Sequence, residues 1–90
     1  MKFLAALLLG ASVAYAQGQC TPDTYGCRRD GISPGQMDSV TRRICEDLEL
    51  DSCFCPQFRH TFCDVVEDDI EVFRQLCEAR GNGWHVQQCQ

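Results

Sequence analysis

Apolar residues recur at Met37, Val40, Ile44 and Leu48, steps of three and four that, with Cys45 beside them, draw one stripe along a helix. The start of that helix is written in Ser33-Pro34-Gly35-Gln36, with serine as N-cap, proline in the first turn and glutamine placed to close a capping box. Asp38, Arg42, Arg43, Glu46 and Asp47 take the opposite face, and the four-residue pairs Asp38/Arg42, Arg42/Glu46 and Arg43/Asp47 mark it as solvated. Asp51-Ser52 breaks the helix. A second stripe follows through Phe58, Phe62, Val65 and Val66, with Cys63 beside it, and resumes in phase at Ile70, Phe73, Leu76 and Cys77. Pro56 suits a first helical turn, so the pattern predicts one helix over about 56–80 or, preferably, two, with Asp68 as the second N-cap and Glu71 closing its capping box. Gln17 to Gly31 is polar and turn-rich and reads as a loop arm pinned by Cys20 and Cys27. Gly81 ends the helical segment, Asn82-Gly83 makes a turn, and Trp84 to Gln90 is a tail tied back by Cys89. The expected fold is all-α: a small disulfide-stapled helical domain of two to three helices behind a loop-rich N-terminal arm.

The first residues follow a different rule. Lys2 is a positive n-region, Phe3 to Val13 an apolar run too short for the roughly 20 residues that span a bilayer, and Ala14-Tyr15-Ala16 a small-x-small cleavage site. The expectation is a signal peptide over 1–16 and a single cysteine-rich secreted domain over 17–90. That domain holds all eight cysteines. A core of this size contributes about 3–5 kcal/mol, whereas one disulfide is worth about 2–4 kcal/mol, so the cross-links carry much of the stability. In an oxidising compartment Cys20, Cys27, Cys45, Cys53, Cys55, Cys63, Cys77 and Cys89 are expected to pair, but about a hundred pairings are open and the sequence does not choose among them.

Charge removes two classes of function. The whole chain carries a formal −5; loss of the leader takes the single lysine and leaves seven arginines against thirteen carboxylates, a formal −6. Those arginines alternate with Asp and Glu instead of clustering, which disfavours nucleic acid and anionic membrane surfaces.

Cys53-x-Cys55-x4-His60-x2-Cys63 has the composition of a zinc site, yet in a secreted chain thiols pair with each other. Cys53 and Cys55 are too close in sequence to bond together and are expected to clamp different elements. His60 and His85 are the near-neutral titrating groups, but neither sits in a catalytic frame, and His60 reads as a solvated surface residue. Glu67-Asp68-Asp69 reads as a helix start, not an acid/base pair. Trp84 either covers the small core or anchors a partner, with packing favoured, and the dibasic pair Arg28-Arg29 is either a secretory-pathway processing site or two solvated charges. Trp84, His85, Arg28 and Arg29 form the candidate interaction surface; no catalytic, metal or cofactor residue is assigned. Asn82, the one asparagine, is followed by Gly83-Trp84, so no N-glycosylation sequon exists.

A short leader, a small mature chain and an even cysteine set around amphipathic helices resemble the small cysteine-rich secreted proteins of filamentous fungi, many of them effector-like. A narrower likeness is carried by Cys45-Glu46-Asp47-Leu48-Glu49-Leu50-Asp51-Ser52-Cys53-Phe54-Cys55, which is similar to the fungal extracellular-membrane (CFEM) domain, a helical disulfide basket with haem-binding members. Leu50 stands where that family has its haem-ligating aspartate, Asp51 substitutes only with a change of register, and the family's closely spaced later cysteines are missing after Cys63. The resemblance implies an extracellular protein, in the host apoplast, that is not an enzyme. The expected protein is a monomer that binds a host or competitor protein or glycan and contributes to virulence, with no cofactor and, from its charge and short apolar run, no nucleic acid and no membrane insertion. A haem-binding module and an antimicrobial or toxin-like peptide are the alternatives.

Overall fold

A computed structural model describes residues 18–90, and the leader expected over 1–16 lies outside them. The chain runs β1 (Tyr25–Arg28), α1 (Pro34–Asp47), β2 (Ser52–Cys55), β3 (His60–Cys63), a 3-10 turn (Glu67–Asp69), α2 (Ile70–Glu78) and β4 (His85–Gln88). The all-α expectation is therefore overturned: an antiparallel sheet of order β2-β3-β1-β4 lies against two short helices, giving a small α+β disulfide-rich fold.

The error has a local cause. Phe58, Phe62, Val65 and Val66 have helical spacing, but residues 52–63 form a hairpin pairing Ser52 with Cys63, Cys53 with Phe62, Phe54 with Thr61 and Cys55 with His60. Pro56 opens the hairpin turn, and Arg59 closes it with φ of 61°, a left-handed conformation that no helix interior admits. Helix forms only after the Glu67–Asp69 turn; its N-cap is Asp69, not Asp68, with no side-chain capping bond, and Glu71 instead holds Arg74 and Gln75. The expected arm and tail are likewise structured, since Tyr25, Gly26, Cys27 and Arg28 pair with Gln88, Gln87, Val86 and His85.

The first helix is where the capping signal put it. Ser33 Oγ accepts the Gln36 N–H at 3.3 Å, with Pro34 in the first turn. Met37, Ile44 and Cys45 are buried, Val40 and Leu48 pack against the core, and Asp38/Arg42 and Arg43/Asp47 form ion pairs on the outer side.

This helix also completes the sheet. β1 and β3 pair only at Tyr25 and Cys63, which leaves backbone groups between them in need of partners. Thr41 Oγ1 accepts the Cys27 N–H at 2.9 Å, and Asp38 Oδ1 accepts the Thr61 N–H at 2.6 Å. Partial burial opposes the Asp38 charge, but the hydrogen bonds from Thr61, then Arg42 and His60, outweigh it and hold the carboxyl below its usual range. Thr41→Val keeps the shape of a fully buried side chain while orphaning a buried N–H. It is expected to cost about 1–3 kcal/mol in a denaturant titration.

Side chains alternate across the sheet. Tyr25, Cys27, Cys63 and Val86 face the helices, joining Ile44, Cys45, Val65, Phe73 and Cys77 in the main core. On the other face Phe62 packs with Cys55 and Cys89 in a second small core flanked by Cys20, Cys53 and Phe58. Cys55 ends one edge strand and Cys89 follows the other, yet their Cα atoms are 5.8 Å apart. Three strand spacings in a flat sheet would separate them by about 14 Å. The sheet is therefore curled around Phe62, and the bridge ties its edges. Cys20–Cys53, Cys27–Cys77 and Cys45–Cys63 complete the frame and leave no free cysteine.

Candidate functional site

Three of the four residues expected at an interaction surface meet at one end of the sheet. Arg28 lies opposite His85 in the β1/β4 ladder. Arg29 follows Arg28, and its side chain packs on Gly83, where φ is 87° and an added Cβ would lie 3.3 Å from Arg29 Nε. Trp84 turns away and packs, half-buried, against the main core. The dibasic pair is not a free loop: Arg28 belongs to a strand, and the Arg29 N–H donates to Met37 Sδ at 3.3 Å.

Behind this end runs an aromatic ladder. The Arg28 guanidinium lies 4.4 Å from the Phe58 ring centroid, Phe58 stacks on Phe62 with centroids 5.6 Å apart, and Phe62 tilts against His60 at 4.9 Å. The expected surface position of His60 is wrong; only 1% of it is exposed. It belongs to β3, whose second face is closed by the curl of the sheet. An His60 Nδ1–H donating to the Thr61 carbonyl at 2.9 Å leaves Nε2 buried with no hydrogen-bond partner among the described residues, and Arg28 has one buried guanidinium nitrogen in the same condition. Burial lowers the His60 pKa first and the Arg28 charge adds to it, outweighing the Thr61 bond and Asp38.

The sign of the pH effect follows. Because the folded pKa is depressed, the unfolded chain takes up a proton first as pH falls through the unperturbed histidine value of about 6.5. Stability is complete above that pH and declines below it, by at most about 1.4 kcal/mol per pH unit from this group, until the folded value is reached. Thermal unfolding between pH 7 and pH 5 should show this decline in the wild type and a flatter profile in His60→Gln.

Asp51 is exposed and lies elsewhere, in an open cleft of about 270 Å³ lined also by Thr21, Thr24, Ser52 and Asp64. Two carboxylates, three hydroxyl side chains and no aromatic wall do not fit a porphyrin, whose apolar plane needs apolar cover. The zinc-like set is also dispersed, because Cys53, Cys55 and Cys63 bond to Cys20, Cys89 and Cys45.

Sequence reasoning missed the Phe58/Phe62 ladder and the burial of His60. The β-forming side chains of Thr61 and Phe62, close after Pro56, were the available signal. Among the described residues no helix is long and apolar enough to cross a membrane. Four disulfides in so small a domain are consistent with an extracellular protein. No known protein family, characterised protein or solved structure matches the chain.

Proposed function

We propose that this is a secreted, effector-like protein that acts outside the cell by binding a host or competitor macromolecule and contributes to virulence. The observation that carries the reading is the complete use of eight cysteines in four bridges between separate elements. Such cross-linking suppresses the open states that proteases cleave, which suits a chain released into a protease-rich fluid such as a host apoplast. The exposed Arg29/His85 end supplies a recognition surface that needs no catalytic group.

The test pairs two measurements. Oxidised protein is incubated in host extracellular fluid and recovered with its bound partner, and a deletion strain is compared with its parent during infection. A specific captured macromolecule and reduced virulence are expected; an empty capture with unchanged virulence overturns the reading.

A further inference from the structure

The two edges of the sheet differ. β2 is covered, because residues 18–20 lie along it: the Phe54 N–H donates to the Gly18 carbonyl and the Cys20 N–H to the Phe54 carbonyl, each at 2.8 Å. β4 is the terminal strand on the other side, and no segment among the described residues pairs with its outer edge.

The β1/β4 register shows which groups face outward. The Cys89 N–H donates to the Thr24 carbonyl at 3.0 Å, so hydrogen-bonded pairs fall at 24/89, 26/87 and 28/85. Val86 and Gln88 therefore direct their backbone groups away from β1. The Gln88 carbonyl is engaged by Gln87 Nε2 at 3.1 Å. Both backbone groups of Val86 and the N–H of Gln88 have no partner among the described residues. Natural edge strands are usually blunted with lysine, proline or a bulge. His85-Val86-Gln87-Gln88 has no lysine or proline, and it pairs with β1 residue for residue.

Charge indicates what fits there. Arg29 and His85 flank the start of β4, and both are exposed. Arg42, Arg43 and Arg74 are in ion pairs with their own helices, whereas Arg29 has no ion pair among the described residues. The nearest carboxylate in sequence, Asp30, acts on Arg28. A long polyanion would be repelled by a chain of formal charge −5, but a short acidic segment within a partner meets only the local positive end, since screening limits the wider field to about 8 Å at physiological salt. A second copy pairing edge to edge would bring no carboxylate to Arg29, because His85-Val86-Gln87-Gln88 contains none.

We infer that the outer edge of β4 docks an extended acidic segment of a partner protein by strand addition, with Val86 and Gln88 supplying backbone hydrogen bonds and Arg29 meeting its carboxylates. This rests on the binding role proposed above and names its site and the chemistry of its partner.

The test uses oxidised full-length protein and an eight-residue peptide alternating Val and Glu, with an alternating Val and Lys peptide and an oligouronate as controls. The acidic peptide is expected to bind, with its largest amide shifts at Val86 and Gln88. Gln88→Pro, which removes an outward N–H and leaves the ladder to β1 intact, should weaken binding at least about 10-fold, and Arg29→Glu about 5-fold or more. Should Gln88→Pro misfold, the wild-type shift map and Arg29→Glu decide. Equal binding of the basic peptide or the oligouronate, shifts centred elsewhere, a dimer that occludes β4, or full affinity in folded Gln88→Pro overturns the inference. Capture of a host partner by wild type and Gln88→Pro alike sinks the edge and spares the binding role. Peptide binding at β4 with empty host capture and unchanged virulence does the reverse.

Discussion

A Cys27→Ala/Cys77→Ala double variant should lose the native fold at room temperature. Both sulfurs are fully buried in the main core, and their bridge joins β1 to α2 across a sequence separation of 50 residues. Closing a loop of that length in the unfolded chain is worth about 4 kcal/mol on the chain-entropy account, and removing the sulfurs adds a packing loss. Small domains hold a net stability of only about 5–15 kcal/mol, and this one has a core near the lower limit of size. Circular dichroism and amide dispersion at 25 °C measure the effect. A cooperative, native-like transition shifted by only a few degrees would show that the helix-facing core holds β1 and α2 without the staple.

The second large effect is expected where a side chain is missing. Gly26 lies under the Phe62 ring, and a Cβ at position 26 would stand 2.5 Å from the nearest ring carbon. Phe62 is fully buried at the centre of the curled face, so the ring has nowhere to retreat. Gly26→Ala should cost about 1–3 kcal/mol through overpacking, and Phe62→Ala about 3–5 kcal/mol through the lost burial and the cavity. The two should not add. In Gly26→Ala/Phe62→Leu the smaller side chain relieves the clash, and a denaturant titration should find the double variant less destabilised than the sum of its single changes by about 1 kcal/mol or more. Strict additivity would mean that the ring does not rest on the strand.

These two sites show why the sequence was legible in one half and misleading in the other. α1 could be read because its signals are local: Ser33, Pro34 and Gln36 lie within one turn, and Met37, Ile44 and Cys45 repeat on the helical period. The hairpin could not, because Phe58, Phe62 and Val65 are spaced by four and three while their burial is decided by strands distant in sequence. Phe62 is buried because Gly26 offers a seat 36 positions earlier. His60 was misread for the same reason, since it packs against Phe62 on the face around which the sheet curls. The separation of Cys53 from Cys55 was legible from chain geometry, but their partners Cys20 and Cys89 depend on the sheet. Of the candidate surface, Arg28, Arg29 and His85 converge because β1 and β4 pair; nothing local announces that pairing.

The fold, the sealed histidine and the open edge of β4 all depend on one pattern of cross-links. Peptide mapping of the non-reduced natural product by mass spectrometry tests that pattern directly. The expected result is Cys20–Cys53, Cys27–Cys77, Cys45–Cys63 and Cys55–Cys89, with no free thiol. A product with Cys55 bonded to any partner but Cys89, or with several free sulfhydryls, would contradict the curled sheet and the extracellular role built on it.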